Sequence, residues 1–183
     1  MPVQQLFGGS MSISLPAFAV DVSTLRDIPD NQEVFVHSTT DQSIIVEILQ
    51  YLDEADEQAV RSHFDSLATD NECDPNNYEV TSIDQLQNIT MHQCQSAYSL
   101  AGTQRVSKFH ESAENQVDVY MGLFRLPQHQ ADIVVTFNDP RTISPGSSSH
   151  SSTHEPTGDQ RWTFEQFKES LASMNLLNPG LFG

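Results

Sequence analysis

The stretch from Val117 to Asn138 constrains the fold more than any other part of the chain. Val119, Met121, Leu123 and Phe124 run to Leu126, Pro127-Gln128-His129-Gln130 supplies turn residues, and Ile133-Val134-Val135-Thr136-Phe137 returns. Apolar, β-branched and aromatic arms on either side of a Pro-led turn specify an antiparallel hairpin. A chain built around such a hairpin needs further strands beside it. Met11–Leu15 alternates apolar and polar residues and stops at Pro16, as a short edge strand does. Glu33–His37 alternates with Val34 and Val36 on one face and Phe35 on the other. In Ser43–Leu52 the β-branched run Ile44-Ile45-Val46 outweighs a helical stripe and predicts a strand. Tyr78–Ile83 and Ala97–Val106 read as two more.

Helices are fewer. Asp53–Ala68 opens on an acidic turn and then spaces Ala55, Ala59, Val60, His63, Phe64 and Leu67 at helical intervals. Thr163 caps a closing helix carrying Phe164, Phe167, Leu171 and Met174, and an apolar tail of Leu176, Leu177, Leu181 and Phe182 follows. Asp21–Arg26 reads as a single helical turn, with Asp21 accepting from the next backbone N–H groups and Pro29 ending it. Residues 70–77 read as a loop by composition. Thr142–Gln160, rich in Ser, His and Pro and almost free of apolar side chains, cannot repay its ordering entropy and is expected to be a disordered loop. Mostly antiparallel strands with a few packed helices make one α+β domain spanning residues 1–183.

Charge narrows the function. Eight Lys and Arg against 25 Asp and Glu leave a formal net charge of −17. Such a surface repels phosphate backbones and anionic lipids, so neither nucleic acid nor membrane suits it as a partner, and a basic protein does. Residues 1–57 hold ten of the 25 acids and one of the eight cations, Arg26. No signal-peptide pattern opens the chain, which points to an intracellular protein with Cys73 and Cys94 as free thiols.

No constellation for bond-making chemistry emerges. Leu6-Phe7-Gly8-Gly9-Ser10 has two glycines but no following lysine, so it reads as a close-approach bend and not a phosphate cradle. His150 and His154 stand four apart but inside the Ser-rich segment, where a helical metal pair is not expected. His63 reads as a core-edge histidine, and Cys94 beside His92 carries no nucleophile signature. No metal, cofactor or catalytic residue is expected.

The stretch Asp21-Val22-Ser23-Thr24-Leu25-Arg26-Asp27-Ile28-Pro29-Asp30-Asn31-Gln32-Glu33-Val34-Phe35 closely resembles the signature of the Ran guanine nucleotide release factor family. Similar stretches occur in order: Leu6–Gly9, Asp41–Leu49, Arg125–Asn138 and Asn178–Phe182. Departures are mild, with Ile28, Ala131 and Asn178 standing where valine, threonine and aspartate are usual. The resemblance implies a PsbP-like fold, a central antiparallel sheet flanked by helices. It further implies a protein of nucleus and cytoplasm, monomeric when alone, that binds the GTPase Ran and loosens its GTP in support of nuclear transport. It places the functional acids in the motif Pro-Asp-x-Gln-Glu, here Asp30 and Glu33, with Asp21, Arg26 and Asn31 alongside. The competing readings are an acidic module that escorts another basic protein without releasing nucleotide, and, more remotely, a small hydrolase.

Overall fold

A computed structural model describes residues 1–23, 25, 27–107, 114–142 and 160–183. The strands are β1 (Val3–Leu6), β2 (Met11–Ser14), β3 (Ala19–Asp21), β4 (Gln32–His37), β5 (Ser43–Gln50), β6 (Tyr78–Gln85), β7 (Ser96–Ser107), β8 (Glu114–Leu126), β9 (Ala131–Thr142) and β10 (Asn175–Leu176). The helices are α1 (Asp56–Asp70) and α2 (Phe164–Ser173).

The β8–β9 hairpin forms as its sequence predicts and lies inside a seven-stranded antiparallel sheet ordered β3-β4-β5-β9-β8-β7-β6. Its turn is a 3₁₀ turn at Pro127–His129, closed by Gln130 at φ 50. Ala131 follows as the first, buried residue of β9. A smaller sheet, β1-β2-β10, completes the architecture. β2 is therefore central in its sheet and not an edge, because the N-terminal residues and the C-terminal tail pair along its two sides. Periodicity within Met11–Ser14 could not reveal pairing partners more than 160 residues away.

Two apolar clusters fill the opposite faces of the large sheet. Phe35, Ile44, Val46, Phe124, Val135 and Phe137 meet α2, Trp162 and the small sheet on one side. Leu100, Val119, Met121, Leu123 and Val134 meet Ala59, Val60 and Phe64 of α1 on the other. Alternate residues of β5, β8 and β9 feed the two clusters, as a strand's period of two requires. Close packing is enforced at Gly122, where a Cβ would stand 2.3 Å from Leu171 of α2. The Thr163 cap is a full capping box with Gln166.

The turn of helix predicted at Asp21–Arg26 is seen only in part, because Thr24 and Arg26 lie outside the described residues. Asp21 ends strand β3, paired with Phe35, and Leu25 N–H donates to the Val22 carbonyl at 3.0 Å in a tight turn. Asp21 also accepts from the Ser23 N–H at 2.8 Å, the local capping bond its sequence position predicts, while its backbone stays extended at the end of β3. The Ser-rich segment, with His150 and His154, lies outside the described residues except for its ends. Thr142, expected to open that loop, is instead the last residue of β9, four positions beyond Asn138, where the hairpin was expected to end.

Candidate functional site

The acidic motif occupies the head of β4. The Gln32 N–H donates to the Pro29 carbonyl at 2.9 Å, so Asp30 and Asn31 form the tip of a four-residue turn, as a leading proline favours. Both side chains are exposed, as is Asp27 just before them. Asn31 is clamped to β5 twice: its Nδ2 donates to the Ile48 carbonyl at 3.0 Å, and its own carbonyl accepts from the Ile48 N–H at 2.9 Å. Asp30 thus stands on a fixed turn, and its carboxylate has no partner among the described residues.

Glu33 is not exposed as Asp30 is. It is half-buried, and its carboxylate accepts a short hydrogen bond from the backbone N–H of Phe7. Phe7, Gly8 and Gly9 have φ values of 49, 65 and 88, and this left-handed run turns the Phe7 N–H toward β4. The Leu6–Gly9 bend and the acidic motif, separate in sequence, are thus one site. Burial pushes the Glu33 carboxyl up from its ordinary value; the Phe7 N–H opposes that rise and the nearby Asp21 charge adds to it.

Asp21 joins the corner from β3, exposed, and is held by its bond to the Ser23 N–H. Ser23 in turn accepts from the Val34 N–H through its hydroxyl at 3.0 Å, and the Val22 N–H donates to the Val34 carbonyl at 3.0 Å. These bonds tie the segment leading out of β3 to the middle of β4. The structure brings Asp21, Asp30, Asn31 and Glu33 to one end of β4. Arg26 lies outside the described residues.

Sequence reasoning missed two neighbours. Gln32 donates a short hydrogen bond to Glu47 on β5, whose carboxyl is also pushed up, chiefly by burial. Phe18, Val20 and Leu25 leave large apolar side chains exposed around the acids. The first follows once β4 and β5 are put in register, Gln32 opposite Glu47. The second could be noted only after β3 is recognised as an edge strand.

A second polar cluster lies under α1. Arg125 is fully buried: Nε donates to Asp132 Oδ1 at 2.9 Å, Nη1 to Asp56 Oδ1 at 3.0 Å and to the Glu54 carbonyl at 3.2 Å, and Nη2 to the Leu52 carbonyl. Tyr51 covers the guanidinium at 4.2 Å. Asp132 Oδ2 also meets His63 Nε2 at 2.9 Å and accepts from the Leu52 N–H at 3.1 Å. His63 and Asp132 look like part of a catalytic set, but both carboxylate oxygens are already engaged by Arg125 and by backbone. The cluster staples the entry of α1 to the hairpin, and His63 is the core-edge residue its spacing suggested. Among the described residues no group of three or more His, Cys, Asp or Glu is placed to hold a metal ion, and no helix is long and apolar enough to cross a membrane.

What the corner offers is an acidic, rigidly mounted surface with no described cation on it. The family model described as "Ran-interacting Mog1 protein" matches residues 4–140, the part of the chain that builds this corner and nearly all of the large sheet. The Ran guanine nucleotide release factor of Danio rerio is 47% identical over 182 residues, covering 97% of this chain and 98% of the relative. The Homo sapiens protein of the same name is 37% identical over 180 residues, covering 97% and 95%. The crystal structure of the Saccharomyces cerevisiae Ran-binding protein Mog1p superposes with a TM-score of 0.72 at 23% identity, covering 100% of this chain and 98% of that one, which agrees with the α+β architecture. On the matched residues and the near full-length identity, this chain belongs to the Ran-interacting Mog1 family.

Proposed function

We propose that this chain binds the GTPase Ran through the corner formed by Asp21, Asp30, Asn31 and Glu33, with Arg26 beside them, and promotes loss of Ran's bound GTP. It does so as a monomer, in nucleus and cytoplasm, without bond-making chemistry of its own. The observation that carries the reading is the near full-length likeness to relatives named Ran guanine nucleotide release factor. The geometry supplies a physical route. GTPases of this type hold the nucleotide phosphates with a lysine, backbone N–H groups and Mg²⁺. A fixed carboxylate such as Asp30, docked nearby, competes for those cations and repels the phosphates they hold. Coupling is reciprocal: if the chain prefers nucleotide-free Ran, GTP weakens its grip on Ran by the same factor.

The test is to load Ran with labelled GTP, add the protein, and follow loss of the label. Faster loss than from Ran alone is the expected result. A chain that binds Ran but leaves the loss rate unchanged is an acidic escort module, and the release reading falls.

A further inference from the structure

We infer that the outer edge of β3, unpaired among the described residues, is the docking strand for Ran, pairing with an extended basic segment of the partner by strand addition. This inference rests on the reading of function above and concerns how the same site is engaged.

The backbone bonds define the edge. The Phe18 carbonyl accepts from the Ser38 N–H at 2.9 Å and the Val22 N–H donates to the Val34 carbonyl at 3.0 Å, so residues 18, 20 and 22 turn their peptide groups toward β4. The antiparallel ladder alternates, so Ala19 and Asp21 point theirs away from the sheet. Neither backbone group of Ala19 or Asp21 meets a partner among the described residues. A row of unpaired peptide groups is a template for another strand unless the protein defends it.

The two edges of the large sheet are treated differently. β6 is eight residues long, is broken by an irregularity between Val80 and Ser82, and exposes Glu79, Thr81 and Ser82. Those are defences. The β3 edge exposes apolar side chains instead: Phe18 is 50% exposed, Val20 41% and Leu25 74%. Of the six large hydrophobic residues exposed among those described, three fall in this eight-residue stretch. Phe18 also sits at φ 69, a left-handed conformation that a bulky side chain adopts only when the surroundings impose it. The small sheet's β1 also leaves Val3 exposed, but Gln4 and Gln5 follow it and no carboxylate flanks it.

Charge names the chemistry of the partner strand. Asp21 on the edge and Asp27 and Asp30 beyond it are exposed carboxylates. A strand pairing with Ala19–Asp21 therefore needs Lys or Arg to meet the acids and an aliphatic residue to cover Val20. Main-chain bonds supply the affinity in such docking and the alternating side chains its specificity.

The experiment is amide hydrogen exchange on the full chain with and without nucleotide-free Ran, together with the pair Asp21→Asn and Asp21→Pro. The expected result is that the Ala19 and Asp21 amides exchange freely in the unbound protein and at least tenfold more slowly in the complex. Asp21→Asn removes the charge but keeps the N–H, and should weaken binding a few-fold. Asp21→Pro removes the outward N–H while sparing the ladder to β4, and should weaken binding by at least a further tenfold. Binding of Ran with the Ala19 and Asp21 amides still exchanging freely overturns strand addition and leaves the functional reading standing. So does an Asp21→Pro variant, folded by circular dichroism, that binds like Asp21→Asn. If Asp21→Pro does not fold, exchange on the wild-type chain still decides. A wild-type chain that does not bind Ran at all overturns the functional reading, and this inference with it.

Discussion

At the scale of residues, Glu33 does two things that its sequence position does not separate. Its carboxylate satisfies the Phe7 N–H, so Glu33→Ala leaves a half-buried donor unpaired, which costs about 1–3 kcal/mol of stability in urea denaturation. Glu33→Gln keeps an acceptor for Phe7 and removes the charge. The Glu33 carboxyl is held above its ordinary value, so the folded state binds that proton more tightly than the unfolded chain does. Its contribution to stability is fully present below the unfolded pKa and is lost as pH rises through the raised folded value. Glu33→Gln should therefore gain stability relative to wild type as pH goes from mildly acid to neutral, read by urea midpoints across that range. A difference that stays flat with pH would mean that burial does not penalise this carboxylate. Charge reversal at Asp30 is a different matter. The side chain is exposed and makes no bond within the described residues, so Asp30→Lys should change stability by no more than about 0.5 kcal/mol. Reversing Asp30 and Glu33 together would confound a binding loss with a folding loss.

At the scale of elements, local patterning revealed the hairpin, both helices and strands β4 to β7, because their residues carry the periodicity themselves. β1, β3 and β10 escaped it. Each is four residues or fewer and exists because a distant segment offers a ladder: β1 and β10 flank β2, and β3 lies on β4. The acids of the site were legible through the motif at Asp30 and Glu33. Their link to Leu6–Gly9 was not, since nothing in either stretch says that Phe7 donates to Glu33. The Arg125 cluster was half-legible: once Leu126 and Ala131 close the turn, Arg125 must face Asp132. That cluster makes a prediction of its own. Asp132→Asn removes the fully buried one of the guanidinium's two carboxylate partners, leaving only the partly exposed Asp56, and should destabilise the protein by about 3 kcal/mol. Release activity per folded molecule should be unchanged, because the cluster lies under α1 and no hydrogen bond among the described residues joins it to Asp30 or Glu33. A stability change under about 1 kcal/mol would show that Tyr51, Asp56 and the backbone carbonyls hold Arg125 without Asp132.

At the scale of the whole molecule, a net charge of −17 with seven of the eight Lys and Arg outside the first 57 residues fits the proposal that the acidic corner leads toward a basic partner. Raising ionic strength from low to physiological should slow association with Ran several-fold and change dissociation little, measured by stopped-flow mixing. An association rate flat with salt would shift the capture step to Phe18, Val20 and Leu25. The central claim is that the acidic corner drives nucleotide release, and comparing release of labelled GTP from Ran by the wild-type chain, Asp30→Lys and Glu33→Gln tests it most directly. Both variants should fold, Asp30→Lys about as stably as wild type and Glu33→Gln at least as stably, and both should release nucleotide at least tenfold more slowly. Two folded variants that release GTP as fast as the wild type would contradict the claim and place the active surface elsewhere on the molecule.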